Sequence, residues 1–560
     1  MKNFTFGNLE YSRPDTDELK KAENYDMARK IFLEFQEASD KFRDASTIAS
    51  VRHTIDTSDK FYDDENEFFS EVYPTLTPVF ISFSEALCDC KFRKDFEKEY
   101  GEMLFVGIEL QRKSFCEKNV PLMQKEAKLC NEYEKIIASA KIGFDGKTLN
   151  LYGIMKYFEN DDREIRKAAF KAYSDFYAAN EDRFEEIWAE LIEIRNQMGR
   201  NLGFENFIPL GYMQQGRTDY NAADVASFRE EVKKELVPFC EKLYKYQAKR
   251  IGVEKIKAYD EKYVFKDGNA VPVGNDDYLV DKARQMYRDL SPETGEFIDF
   301  MIDHELMDLK NKPNKASTGY MTSLNALKAP FVFSCFNGTT GDVDVLTHEL
   351  GHAFAGYLAM RNQPISDYYS ESTDIAEIHS MSMEQFAYPY ADAFFGKDGA
   401  EKYRFSHLQD ALTFVPFGVA VDEFQHIAYS KPELTPKERT AVWRDLERKY
   451  MPWRDYGDDN EFFSRGGYWY HKIHIILYPF YYINYTLTTI GAMEFKKKMS
   501  EDKNSAWRDY LNLCKVGGSK TYKQTLKYAN LSIPFEKGTV KKACSYAMDI
   551  LDKSLKDFDA

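Results

Sequence analysis

The chain lacks several features that would assign it to a common functional class. None of its eight cysteines forms a CxxC pair, so a thiolate zinc site or a thioredoxin-type centre is not expected. Thiols scattered at 88, 90, 116, 130, 240, 335, 514 and 544 suit a reducing, cytoplasmic setting. Positive charge is in deficit, with 76 Lys and Arg against 92 Asp and Glu and a formal net charge of −16. That speaks against a general nucleic-acid binder, and against docking on an anionic membrane. No apolar run follows Lys2, so no secretory signal is expected. The longest uncharged stretch, Ile475 to Met493, carries Pro479, Asn484 and three threonines. It reads as a buried helix of a globular protein and not as a membrane span. Internal repeats and low-complexity segments are missing too.

What is present is enough for a sizeable core: 43% hydrophobic and 30% charged residues in 560. Helical periodicity dominates. Ile165, Ala168, Phe170, Tyr173, Phe176, Phe184 and Ile187 recur at helical spacing among charges. Residues 17–47, 120–140, 222–250, 280–308 and 401–430 read alike. Strand signals are few; the best is Phe331–Phe336, between Pro330 and Asn337-Gly338. The fold class is therefore mostly α with a small β-sheet. The clearest division lies near residue 205, giving an N-terminal helical lobe (1–205) and a catalytic lobe (206–560). The second part holds eight of the nine histidines.

Chemistry concentrates directly after that strand, in Asp342-Val-Asp-Val-Leu-Thr-His348-Glu349-Leu350-Gly351-His352. Leu346, Leu350, Ala353, Tyr357 and Leu358 form an apolar helical stripe. Two histidines four apart project from one face, one turn apart, and offer two nitrogens to one zinc ion. Glu349 is placed to reach a water without being a ligand itself. An accidental HExxH is expected in roughly one such chain in a hundred. Gly351 costs a helix ~1 kcal/mol relative to Ala, which a close neighbouring backbone would explain.

A hydrolytic zinc needs a third protein ligand. Glu371, 19 residues after His352, has the spacing of zinc aminopeptidases but sits in a loop-like segment. Glu377, 25 after, opens a clear helix, and a helix holds a ligand more rigidly. Glu377 could instead be a capping-box residue with Asp374 as N-cap. Asp344, Ser380 and Glu384 are placed to orient the ligands. A second constellation runs from Ser464 through Gly466-Gly467, His471, His474, Tyr478, Tyr481 and Tyr482 to Tyr485. The glycines suggest a mobile loop. The imidazole and phenols are suitable donors to an oxyanion, although an aromatic core helix has the same composition.

With these residues in view, the sequence resembles the thimet-oligopeptidase and oligoendopeptidase F family of zinc metallopeptidases, nearest the subgroup that includes Pz-peptidases. Phe336-Asn-Gly-Thr, the His348–Phe354 motif, Glu377-Ile-His-Ser380-Met-Ser-Met-Glu384, Val421–His426 and His474–Tyr485 carry the likeness. Gly216-Arg217-Thr218-Asp219-Tyr220 is also similar. The resemblance implies a two-lobed, helical, zincin-type fold with a small sheet beside the active-site helix and a deep central channel. It implies one Zn²⁺ per chain held by His348, His352 and Glu377, and oligopeptide substrates. It also places His474, Tyr482 and Tyr485 near the oxyanion, with Tyr478 as a further substrate-side tyrosine. The gap before the two tyrosines is one residue shorter than in the thimet branch, and Asn484 stands where Asp is usual.

The function read from this is a zinc-dependent endo-oligopeptidase. Zinc would lower the pKa of a bound water toward ~7, Glu349 would act as general base, and strand 331–336 would hold the peptide as an edge strand. The rivals are a zinc exopeptidase and a non-catalytic peptide-binding protein. Gly491-Ala492-Met493-Glu494 invites an aminopeptidase reading, but Phe495 stands where such enzymes carry Asn and the segment follows the HExxH helix instead of preceding it, so it reads as a decoy; Arg465 could bind a terminal carboxylate.

Overall fold

Short polar side chains end most loops and start most helices. Asn24, Asp59, Asp162, Asn275 and Ser291 each accept a hydrogen bond from a first-turn backbone N–H. Asn221 and Thr435 form reciprocal capping boxes with Asp224 and Glu438. These caps satisfy donors that the helix itself leaves open. The computed structural model describes residues 16–316 and 318–557. Residues 1–15, where no secretory signal is expected, lie outside the described residues.

The chain divides into two compact units, each assembled from three separated stretches. The first comprises Met1–Arg112, Val271–Ala400 and Lys498–Leu531. The second comprises Lys113–Ala270, Glu401–Lys497 and Ser532–Ala560. The division expected near residue 205 falls inside the second unit. Helices Glu181–Asn201 and Ile208–Gln214 stay together there because the turn between them is closed on itself. The Phe204 N–H donates to the Gly199 carbonyl, and the Phe207 N–H donates to Asn196 Oδ1 at 2.8 Å.

In the first unit, helices Tyr25–Ile55 and Lys60–Cys88 form an antiparallel pair. Phe35 stacks on Phe83 at 3.7 Å, and Phe42 meets Phe69 edge-on at 5.8 Å. The second unit carries a two-residue turn between strands β1 (Ile142–Phe144) and β2 (Lys147–Leu149). The first unit's sheet has three strands, β3 (Met307–Asp308), β4 (Tyr320–Leu324) and β5 (Ala329–Phe333), in the order β3-β5-β4. Strand β5 is fully buried and paired on both sides, parallel to β3 and antiparallel to β4. It is therefore the centre of the sheet and not the edge expected from the sequence. It is paired along its whole length with β4 and at Val332 and Phe333 with β3, and the edges belong to β3 and β4.

After β5, the Asp342 carboxylate accepts from the N–H groups of Asn337 (2.9 Å) and Gly338 (2.7 Å). This turns the chain into helix Thr340–Asn362, which carries the HExxH residues. Helix Thr373–Ala387 packs across it. A Cβ on Gly351 would stand 2.8 Å from Ser380 Cα and 3.0 Å from Met383 Cβ. The neighbouring backbone anticipated from the sequence is there. Helix Lys503–Val516 supports both, with Trp507 against Phe354 and Phe386, and Tyr510 donating to the His379 carbonyl at 2.9 Å.

In the second unit the uncharged stretch is not one helix. Helix Ile473–Leu477 ends at Tyr478, and helix Ile483–Glu501 begins after a turn through Pro479 and Phe480. Phe480 adopts φ +62°, a left-handed conformation that is strained for a bulky residue. Its N–H donates to Gln425 Oε1 at 2.9 Å, and the Arg217 guanidinium donates to its carbonyl at 2.5 Å. No helix among the described residues is long and apolar enough to cross a membrane.

Gly351→Ala should lower the thermal midpoint, because overpacking costs about 1–3 kcal/mol and exceeds the gain in helix propensity. Gly107→Ala, in a helix with nothing within 4 Å of the added Cβ, should raise it. Thermal denaturation of the two variants checks the pair of signs.

Candidate metal centre

His348 and His352 lie one turn apart with ring centroids 5.0 Å apart and planes at 82°. Glu377 reaches them from the next helix. Its Oε2 lies 3.2 Å from His348 Nε2 and 3.4 Å from His352 Nε2. Ligand atoms of all three residues fall within 4.8 Å of one another. Two bonds of ~2.0–2.1 Å meeting at a tetrahedral angle set their ligand atoms about 3.3 Å apart. The observed separations fit that, and the donor set of two imidazoles and one carboxylate suits zinc.

Two of the three ligands are oriented from behind, His348 by Glu384 and Glu377 by Ser380. Glu384 takes the His348 Nδ1–H at 2.5 Å, which leaves Nε2 facing the centre. The Ser380 hydroxyl donates to Glu377 Oε2 at 3.0 Å. Burial pulls the His348 pKa down, but Glu377 and Glu384 outweigh it and hold the imidazole well above its ordinary value. Burial would raise Glu377, yet the two histidines hold its carboxyl far below the usual range. The shifts record the mutual attraction of carboxylate and imidazole, the same donor atoms that a cation would engage. Glu349, half-buried beside His348 on the same helix, is not among the converging ligand atoms.

The competing glutamate is elsewhere. Glu371 Oε1 pairs with His379 Nδ1 at 3.1 Å and is not among the converging ligand atoms. Nor is Glu377 a capping residue: the helix starts at Thr373 with Ser372 as N-cap, so Glu377 lies a full turn inside. Of the residues expected to orient the ligands, Ser380 and Glu384 reach them. Asp344 accepts from Thr347 Oγ1 at 3.2 Å through its carbonyl.

In the second unit, the His474 ring lies 4.8 Å from Tyr482 and 6.1 Å from Tyr485, and Tyr478 is exposed. These residues meet because the Phe480 turn brings the short helix Ile473–Leu477 beside the start of helix Ile483–Glu501. Gly466 and Gly467 do not form the mobile loop expected. Gly466 has φ +115°, and a Cβ there would stand 2.1 Å from the Thr440 carbonyl oxygen. Close packing, not mobility, requires it. Arg465 is engaged by Glu181. Glu494 is buried, accepting from the Ser532 N–H (2.8 Å) and hydroxyl (2.7 Å), so the aminopeptidase-like tetrapeptide has a structural role. Asn484 Oδ1 accepts from Arg217 at 2.9 Å, which gives the Gly216–Tyr220 segment its place. The sequence reading passed over Lys472, although it is the one Lys, Arg, Asp or Glu between Arg465 and Glu494.

The Glu371–His379 pair predicts a pH signature. His379 is lowered by burial but raised more by Glu371, so its contribution is full below ~6.5 and is lost as pH rises through its raised pKa. Glu371 is raised by burial but lowered more by His379, so its contribution is present above ~4.5 and is lost as pH falls through its depressed pKa. The loss of thermal stability in Glu371→Gln should therefore be largest between about pH 4.5 and 6.5 and shrink on either side. Melting curves across pH test this.

Comparison with known proteins agrees with the geometry. Residues 6–115 match the Peptidase M3 N-terminal domain, and residues 156–273 and 297–543 match Peptidase family M3. A solved structure, PZ peptidase A with inhibitor 2, is 44% identical with a TM-score of 0.87, covering 98% of this chain and 99% of that one. The oligoendopeptidase F homolog of Borreliella burgdorferi is 22% identical over 534 residues, 90% of this chain and 88% of its own. The chromosomal oligoendopeptidase F of Lactococcus lactis subsp. cremoris is 22% identical over 524 residues, 86% of this chain and 82% of its own. The mostly helical fold with small sheets, the converging histidines and glutamate, and matches along most of the chain lead to one conclusion: the chain belongs to peptidase family M3 and is a metalloendopeptidase.

Proposed function

We propose that the chain hydrolyses internal bonds of short unfolded peptides with one zinc ion held by His348, His352 and Glu377. The observation that carries this is the convergence of Glu377 Oε2 on both Nε2 atoms at 3.2 and 3.4 Å, with His348 Nδ1 already committed to Glu384. The names of the Pz-peptidase and oligoendopeptidase F relatives support the endo mode and the oligopeptide class. A zinc ion at this site supplies Lewis acidity, making water a stronger acid and a peptide carbonyl a better electrophile.

The chain's own residues do the rest. Glu349 takes a proton from the attacking water as the new C–O bond forms, then delivers it to the departing amine nitrogen as the C–N bond breaks. Negative charge developing on the carbonyl oxygen is met by O–H donors from Tyr482 and Tyr485 and an N–H from His474. Burial and the charge of Lys472 push His474 down to about 3, so it is neutral at physiological pH and can donate without carrying charge. The substrate backbone pairs with the open edge of β4, since β5 is occupied on both sides. All eight cysteines are unpaired thiols, which supports a cytoplasmic location. The net negative charge supports peptides, and neither nucleic acid nor membrane, as partners.

An acetylated and amidated peptide of about ten residues, followed by mass spectrometry, tests the reading. Internal cuts should appear, vanish with chelator and return with zinc. Trimming confined to a free-ended version of the same peptide would replace the endopeptidase reading with an exopeptidase one. Glu349→Gln should lower kcat by about 10²-fold or more while keeping one zinc per chain. Glu384→Gln should weaken zinc binding about 10–100-fold, read by competition with a chromogenic chelator.

A further inference from the structure

Lys472 stands in a stretch without other fixed charge. Arg465 and Glu494 are the nearest Lys, Arg, Asp or Glu in sequence on either side. Its Nζ lies 4.0 Å above the Tyr482 ring and 5.9 Å from that of Phe417. Among the described residues it makes no hydrogen bond or ion pair. Burial draws its pKa down to about 8, and no carboxylate among the described residues raises it. The ammonium is therefore still mostly charged at neutral pH.

For stability this arrangement is poor. A half-buried ammonium without an anionic partner has a desolvation cost that a cation–π contact of about 1–2 kcal/mol only partly offsets. A Leu or Met would fill the same space without that cost. The flanking imidazoles add no compensation. His471 and His474 are both pushed down to about 3, by burial first and then by the Lys472 charge. Both are neutral, so Lys472 is the one positive charge of this segment. His474 Nδ1 is buried and has no hydrogen-bond partner among the described residues. The segment carries one fixed positive charge and no anion.

We propose that Lys472 is a specificity residue of the peptide site, where its ammonium receives a carboxylate of the bound peptide, from an acidic side chain or a free C-terminus. This rests on the reading that His474 and Tyr482 face substrate, since Lys472 lies on the Tyr482 ring and two residues before His474. A carboxylate there completes an ion pair that the protein leaves open, next to aromatic walls that exclude water and strengthen it.

The test is a binding comparison on the full zinc-loaded chain carrying Glu349→Gln, so that peptides persist. Fluorescence anisotropy compares three kinds of labelled ten-residue peptide. One is capped at both ends with neutral side chains. A second set is the same peptide with one glutamate placed at each position in turn. The third has its C-terminal carboxylate free. At least one carboxylate peptide should bind about tenfold tighter than the neutral one. Which kind gains identifies the source of the anion. The ratio should collapse toward one in Lys472→Met and largely return in Lys472→Arg, a pattern that a packing role alone does not produce. Equal affinity for all the peptides, or an advantage that survives Lys472→Met, overturns the proposal. Should Lys472→Met not fold, salt decides: an advantage that persists undiminished from about 50 to 500 mM salt also overturns it. Failure of the unsubstituted enzyme to cut the capped neutral peptide would instead count against the endopeptidase reading, and the affinity ratio would still decide the role of Lys472.

Discussion

At Gly351 two helix backbones come as close as packing allows. A methyl group there would fall 2.8 Å from Ser380 Cα, and the metal centre depends on that approach. Glu377 lies one turn before Ser380 on the crossing helix, so the separation of the two helices sets the distance from its carboxylate to both imidazoles. Glu384, two turns beyond Glu377, meets the back of His348 by the same crossing. One glycine thus governs both the ligand and the group that orients another ligand. Trp507 and Tyr510 press on the outer side of the pair and hold it closed.

Electrostatics follow from this packing. The carboxylates of Glu377 and Glu384 hold the His348 imidazole above its ordinary pKa, and the histidines hold Glu377 below the usual carboxylate range, so each favours the other's charged form. The nearby Glu371–His379 pair solves a similar problem internally: each partner neutralises the other, and no external ion is needed. The contrast between these two clusters separates a site from a structural pair, although both are built from His and Glu on the same stretch of chain.

The second unit shows the same economy at a turn. Phe480 is held in a strained conformation by Gln425 and Arg217, and that turn gathers His474, Tyr482 and Tyr485. Arg195, itself buried, donates to the Ile476 carbonyl at 2.6 Å and pins the preceding short helix. The polar groups that shape the segment are consumed in shaping it. Lys472 is the charge left over.

The local facts were legible in the sequence. Two histidines at i and i+4 share a helix face wherever that helix packs, so His348 and His352 needed no tertiary information. The same holds for the mostly helical composition, for caps such as Asn24 and Asp59, and for the likeness carried by the HExxH and Glu377–Glu384 segments. Non-local contacts were not legible. Residue type alone did not separate Glu371 from Glu377; a helical setting and the family resemblance favoured Glu377, and the helix crossing at Gly351 is the physical reason it reaches the imidazoles. Strand Ala329–Phe333 has the composition of any buried strand, and its central place depends on partners at 307–308 and 320–324. Gly466 reads as freedom in the sequence and is confinement in the fold, because the Thr440 carbonyl comes from a distant helix. Periodicity and capping act within a few residues and are written in order along the chain. Which backbones touch is settled by packing between residues far apart in that order, and that belonged to the tertiary structure alone.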